Sequence, residues 1–163
     1  MTSKKTIVAC LTALAIGASL FVTVPLGAQS VEKYGARLAP APPLGLGGRG
    51  GAPASSFVAG AGSASATLTG KKLTVTGTFQ GMATPVTVAK VGLGRATGAR
   101  LDLILDLKIT KAPQATPPGT SGVVEGAFDL TPEQVDGLKK GKLYIQINSE
   151  GAPNGHLLGW LLK

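Results

Sequence analysis

Cysteine and histidine occur once each in the 163 residues, as Cys10 and His156, and only seven side chains are aromatic. One thiol allows no intrachain disulfide. One thiol with one imidazole cannot build a protein-only zinc, blue-copper or iron–sulfur site. Serine–histidine or cysteine–histidine catalysis would have to rest on that one imidazole. Acidic residues are also few, 8 against 16 Lys and Arg, for a formal charge of +8. What the chain does have is punctuation, 24 Gly and 11 Pro, which argues against a helix bundle. With 44% apolar residues it can bury the core of one modest domain. These absences imply no cofactor and no metal, and they leave a non-enzyme as the expectation.

The first segment reads as an address. Lys4 and Lys5 precede an apolar run from Ile7 to Val24, and Pro25, Gly27 and Ala28 supply a helix breaker and small residues for cleavage after Ala28. Residues 1–28 are therefore expected to be a signal peptide. The competing reading is an uncleaved anchor, because the run lies at the short end of what spans a bilayer. Membrane contact is expected only through this segment, if it is retained. Cys10 sits near the start of the run, where a lipidated cysteine would not. The expected location is secreted or periplasmic. Removing residues 1–28 leaves a chain without cysteine, so stability must come from strand pairing and packing.

Residues 29–56 read as a disordered Pro/Gly/Ala-rich linker, because the stretch LAPAPPLGLGGRGGAPASS from Leu38 sustains no apolar period. From residue 57 to 163 the pattern changes to short runs of Val, Leu, Ile and Thr separated by Gly, Pro and Asn. This spacing predicts an all-β domain, an antiparallel sandwich or barrel. Leu73, Val75, Gly77 and Phe79 alternate with Thr74, Thr76 and Thr78, an inward row against a hydroxyl row. Leu101, Leu103, Leu105, Leu107 and Ile109 predict a central strand burying five aliphatic side chains. Val86 and Val88 fall out of phase with Ala89, Val91 and Leu93, which predicts a β-bulge near Val88 and Ala89. Val124, Gly126 and Phe128, then Leu143, Ile145 and Ile147, form further inward rows. His156–Leu162 is apolar on both parities and reads as a covered strand, with Asn154-Gly155 as the tight connection before it.

One short helix is expected. Thr131 offers an N-cap hydroxyl, Pro132 fits the first helical position, Gln134 closes a capping box, and Gly141 stops the helix.

The run from Thr131 to Leu161 resembles the chordin-type domain called CHRD. Gly141, Leu143, Tyr144 and Ile147 match that family's Leu-Tyr-Val-Asn strand, and Pro153, Gly155, Leu157, Gly159 and Leu161 match its final strand. The upstream part from Gly62 to Leu107 fits the family's strand order. The resemblance implies an immunoglobulin-like or superoxide-dismutase-like β-sandwich in an extracellular protein without an established catalytic activity. Three imidazoles usual in the family are replaced, by Lys90 and Gly92 in Ala89-Lys90-Val91-Gly92 and by the Asn148-Ser149 pair. His156 and Leu158 stand where the family has Glu and Arg.

Candidate site residues follow. Tyr144 and Trp160, if their strands pair, form a stacking platform for sugar or peptide, or else ordinary packing. His156 is either a ligand-facing or pH-sensitive group or a plain strand-end residue. Lys71, Lys72, Lys139, Lys140 and Lys142 form a basic surface suited to acidic glycan or anionic lipid; export and few aromatics argue against nucleic acid. Asp102 and Asp106 share a face about 13 Å apart at strand rise, too far for paired glycosidase carboxylates. Gly92-Leu93-Gly94-Arg95 reads as a hairpin turn. The expected function is an exported non-catalytic module that binds, spaces or supports an envelope or extracellular protein or glycan. The alternatives are a basic adhesion module for acidic glycan and, behind it, a metal-dependent redox protein on a superoxide-dismutase-like scaffold.

Overall fold

The computed structural model describes residues 30–41 and 59–163. The signal segment and residues 42–58, which include most of the expected linker, lie outside the described residues. Eight antiparallel strands and one helix follow in the order β1 (Val31–Pro40), β2 (Ala61–Thr69), β3 (Lys72–Gln80), β4 (Val86–Leu93), β5 (Asp102–Lys111), β6 (Gly122–Asp129), α1 (Pro132–Lys139), β7 (Leu143–Ser149) and β8 (Ala152–Trp160). The all-β class with one short helix agrees with the sequence reading.

The sandwich does not. The strands close into a barrel in the order β1-β2-β3-β6-β5-β4-β7-β8. Two strands change partner along their length and so weld what would have been two sheets. The first part of β5, Asp102–Leu107, pairs with β4, and its end, Lys108–Lys111, pairs with β6. Val31–Leu38 of β1 pairs with β2, while Ala39 and Pro40 pair with β8. Closure removes the unpaired edges that a sandwich must otherwise protect.

The second correction concerns the linker. Residues 31–40 are not a tether but strand β1, because Tyr34, Ala36 and Leu38 alternate with exposed residues and enter the core. That period-two pattern spans only three apolar positions and runs into Pro40, so the proline-rich sequence beyond it obscured the strand.

An eight-stranded barrel is just wide enough for side chains to fill it. Leu68, Leu73, Val75, Phe79, Val91, Val124, Leu143, Ile145, Ile147 and Leu157 do so, all almost inaccessible to water. The β3 row is as expected. The β5 row is not: Leu107 alone is fully buried, Leu105 and Ile109 pack partly against the core, and Leu101 and Leu103 are 51% and 37% exposed. A register shift explains this, since Val91 pairs with Leu105 and Gly92 with Leu103, leaving Ile104 as an extra residue. The other bulge of β4 lies between Val86 and Val88, slightly before the expected place, and leaves Val88 facing out.

Helix α1 caps one end of the barrel. The Thr131 hydroxyl accepts from the Gln134 N–H, and the Gln134 side chain accepts from the Thr131 N–H, which completes the expected box. Leu138 is buried and Gly141, at φ +67°, ends the turn. The same end carries the β2–β3 turn, tied on by the Leu130 N–H to the Lys71 carbonyl at 2.8 Å. Among the described residues no helix is long and apolar enough to cross a membrane.

Candidate functional site

Strand β7 is covered on both faces. Leu143, Ile145 and Ile147 point inward, which leaves Tyr144, Gln146 and Asn148 on the outside. Across the ladder Tyr144 stands between Gly92 of β4 and Trp160 of β8, and Gln146 between Lys90 and Leu158. The two strands do pair as the platform reading requires. The Tyr144 and Trp160 rings lie 5.0 Å apart, tilted by 50°.

Tyr144 is nonetheless buried, so no ligand can stack on its face. Gly92 and Gly94 provide the space these rings fill: a Cβ on Gly92 would strike the Tyr144 ring, and one on Gly94 would come within 2.7 Å of Trp160. The Gly92-Leu93-Gly94 stretch is therefore not a hairpin turn; Gly92 and Leu93 belong to β4, and the reversal falls later, where Ala96 and Ala99 bridge. Burial raises the Tyr144 hydroxyl above the usual phenol range, and that hydroxyl reaches the Leu101 carbonyl at 3.5 Å.

Leu101 and its neighbours form one wall of a depression of about 200 Å³, lined by Arg100, Leu101, Leu103, Tyr144, Gln146, Asn148, Pro153 and Asn154. The opposite wall comes from β8. Its tight turn is Glu150-Gly151, with Ser149 paired to Ala152, and not the expected Asn154-Gly155. Between the Ile147–Leu157 and Ser149–Ala152 pairs, β7 has one residue and β8 has four, so Pro153–His156 form a bulge that exposes Pro153 and Asn154. Gly155 makes this possible at φ +126°.

The floor is a chain of hydrogen bonds. Arg100 Nη1 donates to Gln146 Oε1 at 3.2 Å, and Gln146 Nε2 donates to Asn148 Oδ1 at 2.9 Å. The guanidinium thus fixes which end of each amide faces which way, leaving the Asn148 Nδ2 hydrogens at the end of the relay. Sequence reading missed Arg100, Gln146, Asn148 and Asn154. The signal was the polar second parity of β7; what hid its meaning was the bulge that brings Asn154 to it.

His156 does not reach the surface of the groove. It is buried at 1% exposure, with Nδ1 2.7 Å from Ser149 Oγ and Nε2 2.7 Å from the Ala59 carbonyl. Ser149 Oγ already accepts from the Thr84 hydroxyl and the Ala152 N–H, so its one hydrogen goes to Nδ1 and His156 donates from Nε2. The imidazole fastens the start of β2 to the β7–β8 turn.

The five lysines gather at the helix-capped end, and two of them are held in ion pairs. Lys139 pairs with Glu32 at 3.1 Å and Lys140 with Asp136 at 2.7 Å. Lys163 also reaches Glu32, at 2.6 Å, and Tyr34 donates to that carboxylate at 2.9 Å. Lys163, Lys139 and the Tyr34 hydroxyl together draw the Glu32 carboxyl down to about 2. Burial and the neighbouring carboxylate push Tyr34 up to about 12. Asp106 is bound to Lys90 at 2.8 Å. Among the described residues no group of three or more His, Cys, Asp or Glu could hold a metal ion.

Fold and site together define a small closed β-barrel with an aliphatic interior and a polar groove on its outer wall. The family model of the CHRD domain matches residues 46–161, and the chain belongs to that family. No curated protein and no solved structure matches it.

Proposed function

We propose that this is an exported, non-catalytic CHRD module whose barrel serves as a rigid mount and whose outer groove over β7 binds a component of the envelope or extracellular space. The observation that carries this reading is the Arg100–Gln146–Asn148 relay, a pre-oriented set of polar side chains in a walled depression. Such a floor on rigid strands is what recognition needs, since little ordering remains to be done on binding. The signal-like residues 1–28 support export. The test is capture from envelope extract with the immobilised chain, comparing it with Asn148→Ala. Recovery of a component that the variant loses supports the reading. Turnover of any member of a broad substrate panel, abolished by a point substitution, would sink the non-catalytic part.

A second reading, adhesion to acidic glycan, draws on Lys71, Lys72, Lys139, Lys140 and Lys142 at one end of the barrel. Its electrostatic basis requires that retention on anionic polysaccharide fall with added salt.

A further inference from the structure

We infer that the groove over β7 takes a single hydroxylated ring, one sugar residue of a polysaccharide. This rests on the binding reading above and names the ligand class for the same site. Three observations favour it. The floor and rim of the one depression both offer amides: among the described residues neither Asn148 Nδ2 nor the Asn154 amide hydrogen-bonds a protein group, and each amide both donates and accepts. Adjacent sugar hydroxyls, each also donor and acceptor, match such a set. Leu101, Leu103 and Pro153 then give apolar wall for the C–H face of a ring, and Leu101 and Leu103 are 51% and 37% exposed.

Size points the same way. At about 200 Å³ the depression is smaller than the roughly 300–1,000 Å³ of sites for drug-sized ligands, so it holds one ring and leaves the rest of a chain outside. A peptide is the weaker fit. Extended peptides bind by adding a strand to an open sheet edge, and this ladder closes on itself. Arg100 acts here as a positioning residue, because its bond to Gln146 Oε1 turns the Gln146 nitrogen toward Asn148.

The experiment is side-chain amide NMR of the purified chain titrated with cellotetraose, maltotetraose and tetragalacturonate. Expected are saturable shifts of the Asn148 and Asn154 amides with at least one neutral tetrasaccharide, persisting in about 1 M salt, where the Debye length is near 3 Å. Asn148→Ala should weaken that binding about tenfold or more, and Asn154→Ala, on an exposed bulge, should weaken it without touching the floor. Lys140→Ala and Lys142→Ala should leave it unchanged. Silence with all three sugars, binding indifferent to both asparagine variants, or shifts confined to the lysine-rich end and erased by salt would each overturn the inference. Partner capture without sugar binding leaves the module reading intact, whereas sugar cleavage would remove that reading and leave the groove.

Discussion

Gly92 lies beneath the ring of Tyr144, its direct neighbour across the β4–β7 ladder, and a Cβ at Gly92 would stand 2.6 Å from the ring Cε1 and from the hydroxyl oxygen. The glycine is a slot, and the slot sets where Tyr144 and Trp160 meet. Gly92→Ala must lift the ring or bend the strand. Overpacking of this kind costs about 1–3 kcal/mol. The expected result is a lower urea midpoint together with altered emission from Trp160, the one tryptophan. An unchanged midpoint and spectrum would show that the ring has room to move.

Strand β1 lies before residue 46, where the family match begins, yet it closes the barrel. A chain starting at residue 46 is expected to expose both β2 and β8 as open edges and to lose cooperative unfolding and solubility. A milder probe is Leu38→Ala, at a side chain 1% exposed, which should cost about 2–5 kcal/mol. If residues 46–163 fold with the stability of the longer chain, β1 is dispensable and the seam between β2 and β8 must close some other way.

The Thr84–Ser149–His156–Ala59 relay predicts strong coupling. Ser149→Ala leaves the Thr84 hydroxyl, the Ala152 N–H and the His156 Nδ1 without their shared partner, a loss of about 1–3 kcal/mol. His156→Ala should cost at least as much, because it also opens a cavity at a fully packed position. Because the two residues serve one network, a double-mutant cycle by urea denaturation should give an interaction of about 0.5–3 kcal/mol. Additive effects would mean that the two bonds act independently.

The strands that could be read from sequence were those with a clean alternation over several residues, such as Leu73–Phe79 in β3, and the helix was readable because Thr131, Pro132 and Gln134 form a local signal. Barrel closure was not readable. It depends on β5 and β1 changing partners midway, a tertiary choice that leaves no local mark beyond the bulge at Ile104. For the site, Tyr144 and Trp160 were found because facing strands put them together. The groove was missed because its walls come from a loop ending at Arg100 and a bulge at Pro153–His156, each set by register and not by residue type. His156 misled for a related reason: its distance in sequence from Ala59 hid the carbonyl that satisfies it.

Glu32 offers a pH test whose direction is fixed by its neighbours. Its carboxyl, drawn to about 2 from an ordinary 4.5 by Lys163, Lys139 and the Tyr34 hydroxyl, binds a proton less readily when folded than when unfolded. The stabilisation is therefore full above pH 4.5 and is lost as pH falls from 4.5 toward 2. Protonating Glu32 removes the carboxylate charge that Lys139 and Lys163 share and loosens the tie between β1, α1 and the C-terminus. Glu32→Gln should lower the urea midpoint at neutral pH, and the gap between variant and parent should close across that same window. High salt should narrow the gap at neutral pH, since the partners are half-exposed. A gap that stays constant down to pH 2 would show that Glu32 acts through packing and not through its charge.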